Sequence, residues 1–371
     1  MNATVLMLSA FVIPATVLGG YDRHRAVLEE HHIPTGPLPE KHHTHASTIT
    51  EAADGTLLAA WFGGTAENHP DVKIWLSRKA PGAAEWAEPV VIDDGVRDGK
   101  DYPTWNPVLF TDPKSGTIYL WYKITGEGPK PGYQNWWGAV RTSADAGKSW
   151  SDRIWLPQVD TAAHPMLGPS SGHATGPVKN RPLALPDGRL LCGSSTETEL
   201  GWRVHFEIYE ADDWTGQKHG VTIVGPLDGK GIQPSFIVQS PDFLKLGAFT
   251  RNDGFTSSKD GGKTWSAIGP SPVKTAVGLH AVTTANGWHF LAYNETGVRT
   301  PLKLARSRDG EHWEIILPSL SADGLQSMDY PTIMQTKDGK LHIVHTYGRQ
   351  FINHLVLDTK YLEGDGEAAP K

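Results

Sequence analysis

The sequence predicts an all-β protein, a six-bladed β-propeller, on three observations. A strand–turn–strand unit recurs six times. A short Ser-x-Asp motif closed by tryptophan follows several of these units. The composition suits strands and tight turns: among 371 residues there are 40 Gly, 27 Pro and 14 Trp, with few long helical patterns.

The repeat reads as a turn residue, a glycine and then an apolar strand. It occurs at Asp54 and Gly55 before TLLAAW, Ser115 and Gly116 before TIYLWY, and Asp187 and Gly188 before RLLCG. It returns at Asn286 and Gly287 before WHFLAY and at Asp338 and Gly339 before KLHIVH, with a weaker copy at Ser240, Pro241 and Asp242 before FLKLGAF. An apolar stretch precedes each copy (ASTITEA, NPVLFTD, RPLALP, PSFIVQ, HAVTTA, PTIMQT), so each is a β-hairpin. Six such hairpins suit six four-stranded blades. The second motif is Ser143, Asp145, Gly147 and Trp150, repeated as Ser258, Asp260, Gly262 and Trp265, and shortened by one residue at Ser307, Asp309, Gly310 and Trp313. Aspartate accepts backbone N–H bonds across a tight turn, glycine supplies the positive φ, and tryptophan packs over the hairpin. Residues 77–86 and 210–214 carry decayed copies. The propeller is expected over residues 21–361 as a single domain. One blade should take its last strand from the opposite terminus, closing the ring and removing exposed edges.

At the N-terminus, the apolar run of residues 5–18 is too short to span a bilayer, and it resembles the core of a secretory signal. Residues 1–20 are therefore expected to be a signal peptide directing export to the periplasm or the extracellular space; otherwise the protein is cytoplasmic. Residues 362–371 read as a polar tail.

Composition removes several functions. Net charge is −7, from 34 Lys+Arg against 41 Asp+Glu, without basic runs, which argues against nucleic acid as a partner. No integral membrane span is expected, and nothing in the pattern addresses oligomeric state. The single cysteine, Cys192, excludes an internal disulfide and a cysteine zinc site. His42, His43 and His45 cluster, and with Glu67 or Asp71 they could be imagined around a divalent ion. No metal-ligand spacing supports this, so no metal or cofactor is expected.

Six blocks, HASTITEAADGTLLAAWFGG, WNPVLF, GPVKNRPLALPDGRLL, IQPSF, YNETGVRTPLKLARSRDGEHW and DYPTIMQTKDGKLHIVHTYGR, stand in an order that resembles the predicted-neuraminidase, BNR (Asp-box) repeat group of sialidase-like propellers. The resemblance spans residues 45–358. It implies a carboxylated sugar as substrate, three arginines gripping the carboxylate, a tyrosine paired with a glutamate as nucleophile, and an acid/base carboxyl in a loop. Tyr330, in the block before the last hairpin, matches the nucleophile. A phenol, with a pKa of about 10, needs assistance to attack. The family's glutamate falls on Gln233, which cannot take a proton, so Glu197 and Glu207 are the substitutes to test. Arg299 and Arg251 match two carboxylate-gripping arginines, whose forks bind carboxylates bidentately. The first arginine is replaced by His45, as the predicted-neuraminidase group itself writes this block; a neutral imidazole could also act as base or acid. Glu67 and Asp71, after Gly63 and Gly64, are the acid/base candidates, Glu67 first because Asp71 can instead cap the next strand. Trp105, Asn106, Lys179, Asn180, Arg181 and Arg349 are expected at the same rim, where Lys, Arg and Asn suit an acidic sugar and Trp stacks on a sugar face. Trp136 and Trp137 sit in a Gly/Pro-rich insertion, residues 126–138, that could cover the substrate.

The expected function is an exo-acting, sialidase-like glycoside hydrolase on a terminal acidic sugar, with an acidic glycan or oligosaccharide as its partner. Two alternatives stay open: a polysaccharide lyase on uronate-containing chains, and a non-catalytic carbohydrate-binding propeller.

Overall fold

The structure is a computed structural model describing residues 16–17, 21–38, 41–127, 132–160, 172–198, 201–321 and 326–364. Six four-stranded antiparallel blades form a ring, each with its first strand innermost. Blade one comprises His43–Glu51, Leu57–Gly64, Lys73–Lys79 and Val90–Asp93. Blade two comprises Thr104–Thr111, Ile118–Thr125, Trp136–Ser143 and Ile154–Trp155. Blade three comprises Leu183–Ala184, Leu190–Thr198, Gly201–Tyr209 and Thr222–Val224. Blade four comprises Ser235–Val238, Leu246–Thr250, Gly254–Ser258 and Gly269–Pro270. Blade five comprises Leu279–Thr283, His289–Asn294, Leu302–Ser307 and Glu314–Leu317.

Blade six closes the ring. Its inner strands are Met328–Gln335, Leu341–Tyr347 and Phe351–Leu357, and its outermost strand is Val27–Ile33 from the other end of the chain. Strands from near the two ends of the chain thus complete one sheet, which joins the last blade to the start of the ring. The short helix Thr359–Glu363 follows, capped by Asp358 and ended by Gly364 in the left-handed region. It buries Leu362, and Glu363 accepts hydrogen bonds from Thr284 and Asn286, so these two residues pack on the ring. The proposed signal segment lies outside the described residues except for Thr16–Val17, which run parallel to the outer strand of blade five. Among the described residues, no helix is long and apolar enough to cross a membrane.

The second strand of each blade is sandwiched between neighbouring blades. This is why LLAAWFGG and HFLAYN read as near-continuous apolar runs rather than alternating ones. The core is accordingly divided into wedges between blades. Phe62, Leu76, Leu109 and Tyr122 fill the wedge between blades one and two, and Trp61, Trp86, Met334 and Val344 that between six and one. Cys192 lies with Trp121, Tyr209 and Trp214 between blades two and three.

The three Ser-x-Asp turns share one scheme, each between the third and fourth strands. Asp145 accepts from the amide and hydroxyl of Ser149 (2.9 and 2.6 Å), Asp260 from those of Thr264 (2.9 and 2.6 Å), and Asp309 from the amides of Glu311 and His312 (both 2.8 Å). Each serine hydroxyl in turn accepts the glycine amide at 2.9 Å. These turns stand on the outside of the ring, away from the axis.

A second repeated device faces the axis. The inner strands of blades one, two and six each slip register by a bulge, at Ala46, Asn106 and Tyr330, which hold φ of 54°, 40° and 50°. Lys179 (68°) and Gln233 (55°) take the same conformation just before the inner strands of blades three and four. Asn106, Gln233 and Tyr330 each precede a proline, which lacks the N–H needed to continue the ladder. Positive φ at a side-chain-bearing residue costs on the order of 1–3 kcal/mol. The fold accepts that cost repeatedly, at the start of the inner strands.

Candidate active site

A cavity of about 340 Å³ opens on the axis at the end of the ring where these bulges lie. The heads of the inner strands supply Trp105, Asn106, Gln233 and Tyr330. The loops after second strands supply Glu67, Asn68 and Arg251, the end of the second strand of blade three supplies Glu197, and the insertion in blade two supplies Tyr133 and Trp136.

Tyr330 is the centre. Its hydroxyl oxygen accepts from Arg251 Nη1 at 3.0 Å and from Gln233 Nε2 at 3.4 Å. Gln233 therefore stands where the resemblance places the glutamate, touching the phenol with an amide. The guanidinium carbons of Arg299 and Arg251 lie 5.3 and 5.8 Å from the ring centroid. The backbone approach is tight: a Cβ on Gly278, at the corresponding point of blade five, would lie 2.9 Å from the Tyr330 amide nitrogen. Glycine is needed there for closeness, not for an unusual φ.

Behind Tyr330 is a charged cluster. Asp329, 1% exposed, lies 3.6 Å from Arg299 Nη1 and 3.7 Å from Arg349 Nε. Burial raises its pKa, against the pull of the two arginines. Arg349 also pairs with Glu67 at 2.6 Å. Arg299 and Arg349 are thus tied to carboxylates, while Arg251 has no carboxylate partner among the described residues.

Glu197 differs from the other acids. Burial at the end of its hairpin, reinforced by the nearby Glu67 charge and opposed by Arg251, raises its pKa from 4.5 to about 7. A carboxyl that keeps its proton near neutrality is suited to donate it.

Several expected site residues stand elsewhere. His45 is 1% exposed and buttresses Tyr330, its ring edge-on at 4.2 Å, while Arg299 donates to its Nε2 at 3.4 Å. Burial and the charges of Arg349, Arg299, Arg251 and Lys179 push its pKa far down, so it is a neutral support and does not line the cavity. Asp71 is also off the cavity: it accepts from the Thr65 amide (3.0 Å) and hydroxyl (2.6 Å) and staples its own loop. Lys179 is fully buried and donates to the carbonyls of Leu279 and Pro331, tying three blades together beneath the site. Asn180 donates to the carbonyl of Gln233 at 2.7 Å and positions that segment. Arg181 lies farther along the chain than Lys179 and lines a cavity at the other end of the axis. Glu207 is buried within the third strand of blade three, accepting from Thr175 and Gly176 of the segment that follows blade two and from Tyr209. Trp137 packs against His173 and Trp155 within its blade.

Asn68 and Tyr133 line the cavity without having been singled out in the sequence. Their signal was the insertion of polar loop residues after the second strand, the position that also yields Glu67.

Residues 55–343 match the model of the BNR repeat-like domain. The chain belongs to that family. The matched segment of this BNR repeat-like protein omits the outer strand Val27–Ile33 and its partner Phe351–Leu357, which close the ring. No curated protein matches the sequence. Among solved structures, a protein of unknown function from Dyadobacter fermentans superposes with a TM-score of 0.68 at 16% identity, covering 90% of this chain and 98% of its own. The NanB sialidase of Streptococcus pneumoniae gives 0.61 at 13% identity, covering 85% and 68%. An α-L-arabinanase of Penicillium chrysogenum gives 0.63 at 16% identity, covering 90% and 99%. These likenesses establish the sialidase-like propeller. One such ring carries enzymes for different sugars, so the chemistry must be argued from the site.

Proposed function

We propose that this protein is an exo-acting glycoside hydrolase that removes a terminal acidic sugar from a glycan. The observation that carries the reading is one axial cavity holding Tyr330, with its oxygen gripped by Arg251, together with Glu197, a carboxyl that titrates at about 7. A cavity of about 340 Å³ on the axis has room for a terminal sugar. Trp105 and Trp136, packed on each other, form an apolar wall for a sugar ring to rest against, and Arg251, without a carboxylate partner among the described residues, suits the substrate's own carboxylate.

In this reading Glu197 gives its proton to the glycosidic oxygen as the bond to the anomeric carbon breaks. The Tyr330 oxygen bonds to that carbon, and the phenolic proton passes to Glu67. Water then displaces Tyr330, with Glu197 taking the water's proton and the phenol regaining its own. Glu197 replaces Glu67 as the acid because Glu67 is engaged by Arg349 at 2.6 Å.

A second reading is supported by Gln233. The Tyr330 hydroxyl is met by an amide and a guanidinium and by no carboxylate among the described residues, so its proton must reach Glu67 across the cavity, whereas elimination on a uronate needs only a base and a cation near the sugar carboxylate, roles that fit Tyr330 and Arg251. Incubation with acidic glycans followed by product mass analysis separates the two. Hydrolysis adds one water to the products, and elimination yields an unsaturated sugar without it. Absence of any product across terminal acidic sugars and uronate chains refutes both enzymatic readings.

A further inference from the structure

A second cavity, of about 610 Å³, opens at the opposite end of the axis. The far ends of the inner strands line it: Phe110 from blade two, Phe236 and Val238 from blade four, Thr283 from blade five and Ile333 from blade six, with Leu183 from blade three. Its walls are mainly apolar, unlike the polar, tryptophan-lined cavity at the other end.

Its charge is one-sided. The lining contains two arginines, Arg181 and Arg308, and no aspartate or glutamate, in a protein whose net charge is −7. Its two histidines add no charge. Burial, with the charges of Lys179 and Arg181, keeps the His280 pKa far below its ordinary value, and burial pushes that of His289 to about 4. Arg308, at the rim, donates to the carbonyl of Asn286 at 2.7 Å.

Arg181 is the unusual group. Among the described residues its guanidinium has no ion pair and no hydrogen bond, and its Nε is buried without a partner. It lies over the face of Phe110, with the guanidinium carbon 5.2 Å from the ring centroid. Burial alone, without any compensating carboxylate, brings its pKa down to about 10. The side chain is partly exposed to the cavity, and a positive charge with no carboxylate beside it favours a counter-anion entering there.

We propose that this cavity is a second ligand site, for a small organic anion with an apolar body: the carboxylate lies on the Arg181 fork, and the apolar part rests against Phe110, Phe236 and Ile333. The volume falls within the range of roughly 300–1,000 Å³ seen for small-molecule sites. The site is independent of the sugar-cleaving reading, because it shares no lining residue with the first cavity.

Isothermal titration calorimetry of the full chain with 4-phenylbutyrate, and with the uncharged 4-phenylbutanol, tests the proposal. The expected result is one-to-one binding of the carboxylate, weakened about tenfold or more in the alcohol and in Arg181→Leu, and unchanged in Arg251→Gln at the other cavity. The acid–alcohol comparison uses the unaltered protein, so it stands even if Arg181→Leu folds poorly. No binding at millimolar carboxylate, equal binding of acid and alcohol, or loss in Arg251→Gln but not in Arg181→Leu overturns it.

Discussion

Replacing Glu197 by glutamine tests stability and chemistry in one variant, in opposite directions. Burial and the Glu67 charge move the Glu197 pKa from 4.5 to about 7. At about 1.4 kcal/mol per tenfold change, ionising it in the folded protein costs about 3 kcal/mol more than in the unfolded chain, and about 2 kcal/mol remains after allowing for its partial exposure. Because the folded pKa is the raised one, this penalty is absent below about pH 4.5, grows as pH rises, and is complete above about pH 7. Glutamine keeps the shape and cannot ionise. Glu197→Gln should therefore melt together with the parent near pH 4.5 and above it at pH 8, by a few degrees. Thermal unfolding at several pH values reads the difference. On its natural substrate the same variant should lose about 10²- to 10⁴-fold in kcat, the usual contribution of a positioned proton donor. The parent's rate should fall as pH rises through about 7. A melting difference that does not vary with pH would show that Glu197 titrates normally and that its assignment as acid is wrong.

Four further outcomes are expected. Tyr330→Phe removes the oxygen to which Arg251 and Gln233 donate, so turnover should fall by orders of magnitude with little change in melting; a near-parental rate removes Tyr330 from the chemistry. Gln233→Glu puts a proton acceptor against the phenol, which should raise the rate of hydrolysis and not of elimination, read from product masses. Gly278→Ala places a methyl 2.9 Å from the Tyr330 amide nitrogen and should depress kcat although no reactive group is lost; unchanged kinetics would mean that the tyrosine's position is not critical. Asp93, 2% exposed, accepts from Tyr122 at 2.6 Å and from Arg141 and Arg153, which outweigh the effect of burial and hold its pKa low. Its contribution is present above the usual carboxylate range and lost as pH falls through its lowered pKa. Asp93→Asn should cost about 3–5 kcal/mol at neutral pH, measured by denaturant unfolding, by leaving two arginines beside a neutral amide.

The legible part of the site shares a sequence feature. Tyr330, Gln233 and Asn106 each stand before a proline at the head of an inner strand, and Arg251, Arg299 and Arg349 each occupy a turn after a second strand. Both positions recur once per blade, so a repeat phased on the hairpins locates them. The residues that went elsewhere are near neighbours of such positions. Asp71 lies at the far end of the loop that holds Glu67, and Arg181 is two residues past Lys179, on the way to the far mouth. Glu197 was visible only as one of two acids in a polar hairpin. Its distinction from Glu207 comes from surroundings: one faces a cavity beside another acid, while the other sits among amide and hydroxyl donors.

The sequence alone determined the ring, because turn glycines, Ser-x-Asp motifs and apolar strands are local signals that repeat with the blades. It also pointed to the recurring positions in each blade from which Trp105, Asn106, Gln233, Arg251 and Tyr330 reach the axial cavity. Only the tertiary structure decided which carboxyl holds a proton, which arginine lacks a partner and which histidine is sealed behind the tyrosine. Those properties depend on desolvation and on charges brought together from different blades, and burial at a closed axis is a sum over the whole ring that no single segment of the chain encodes.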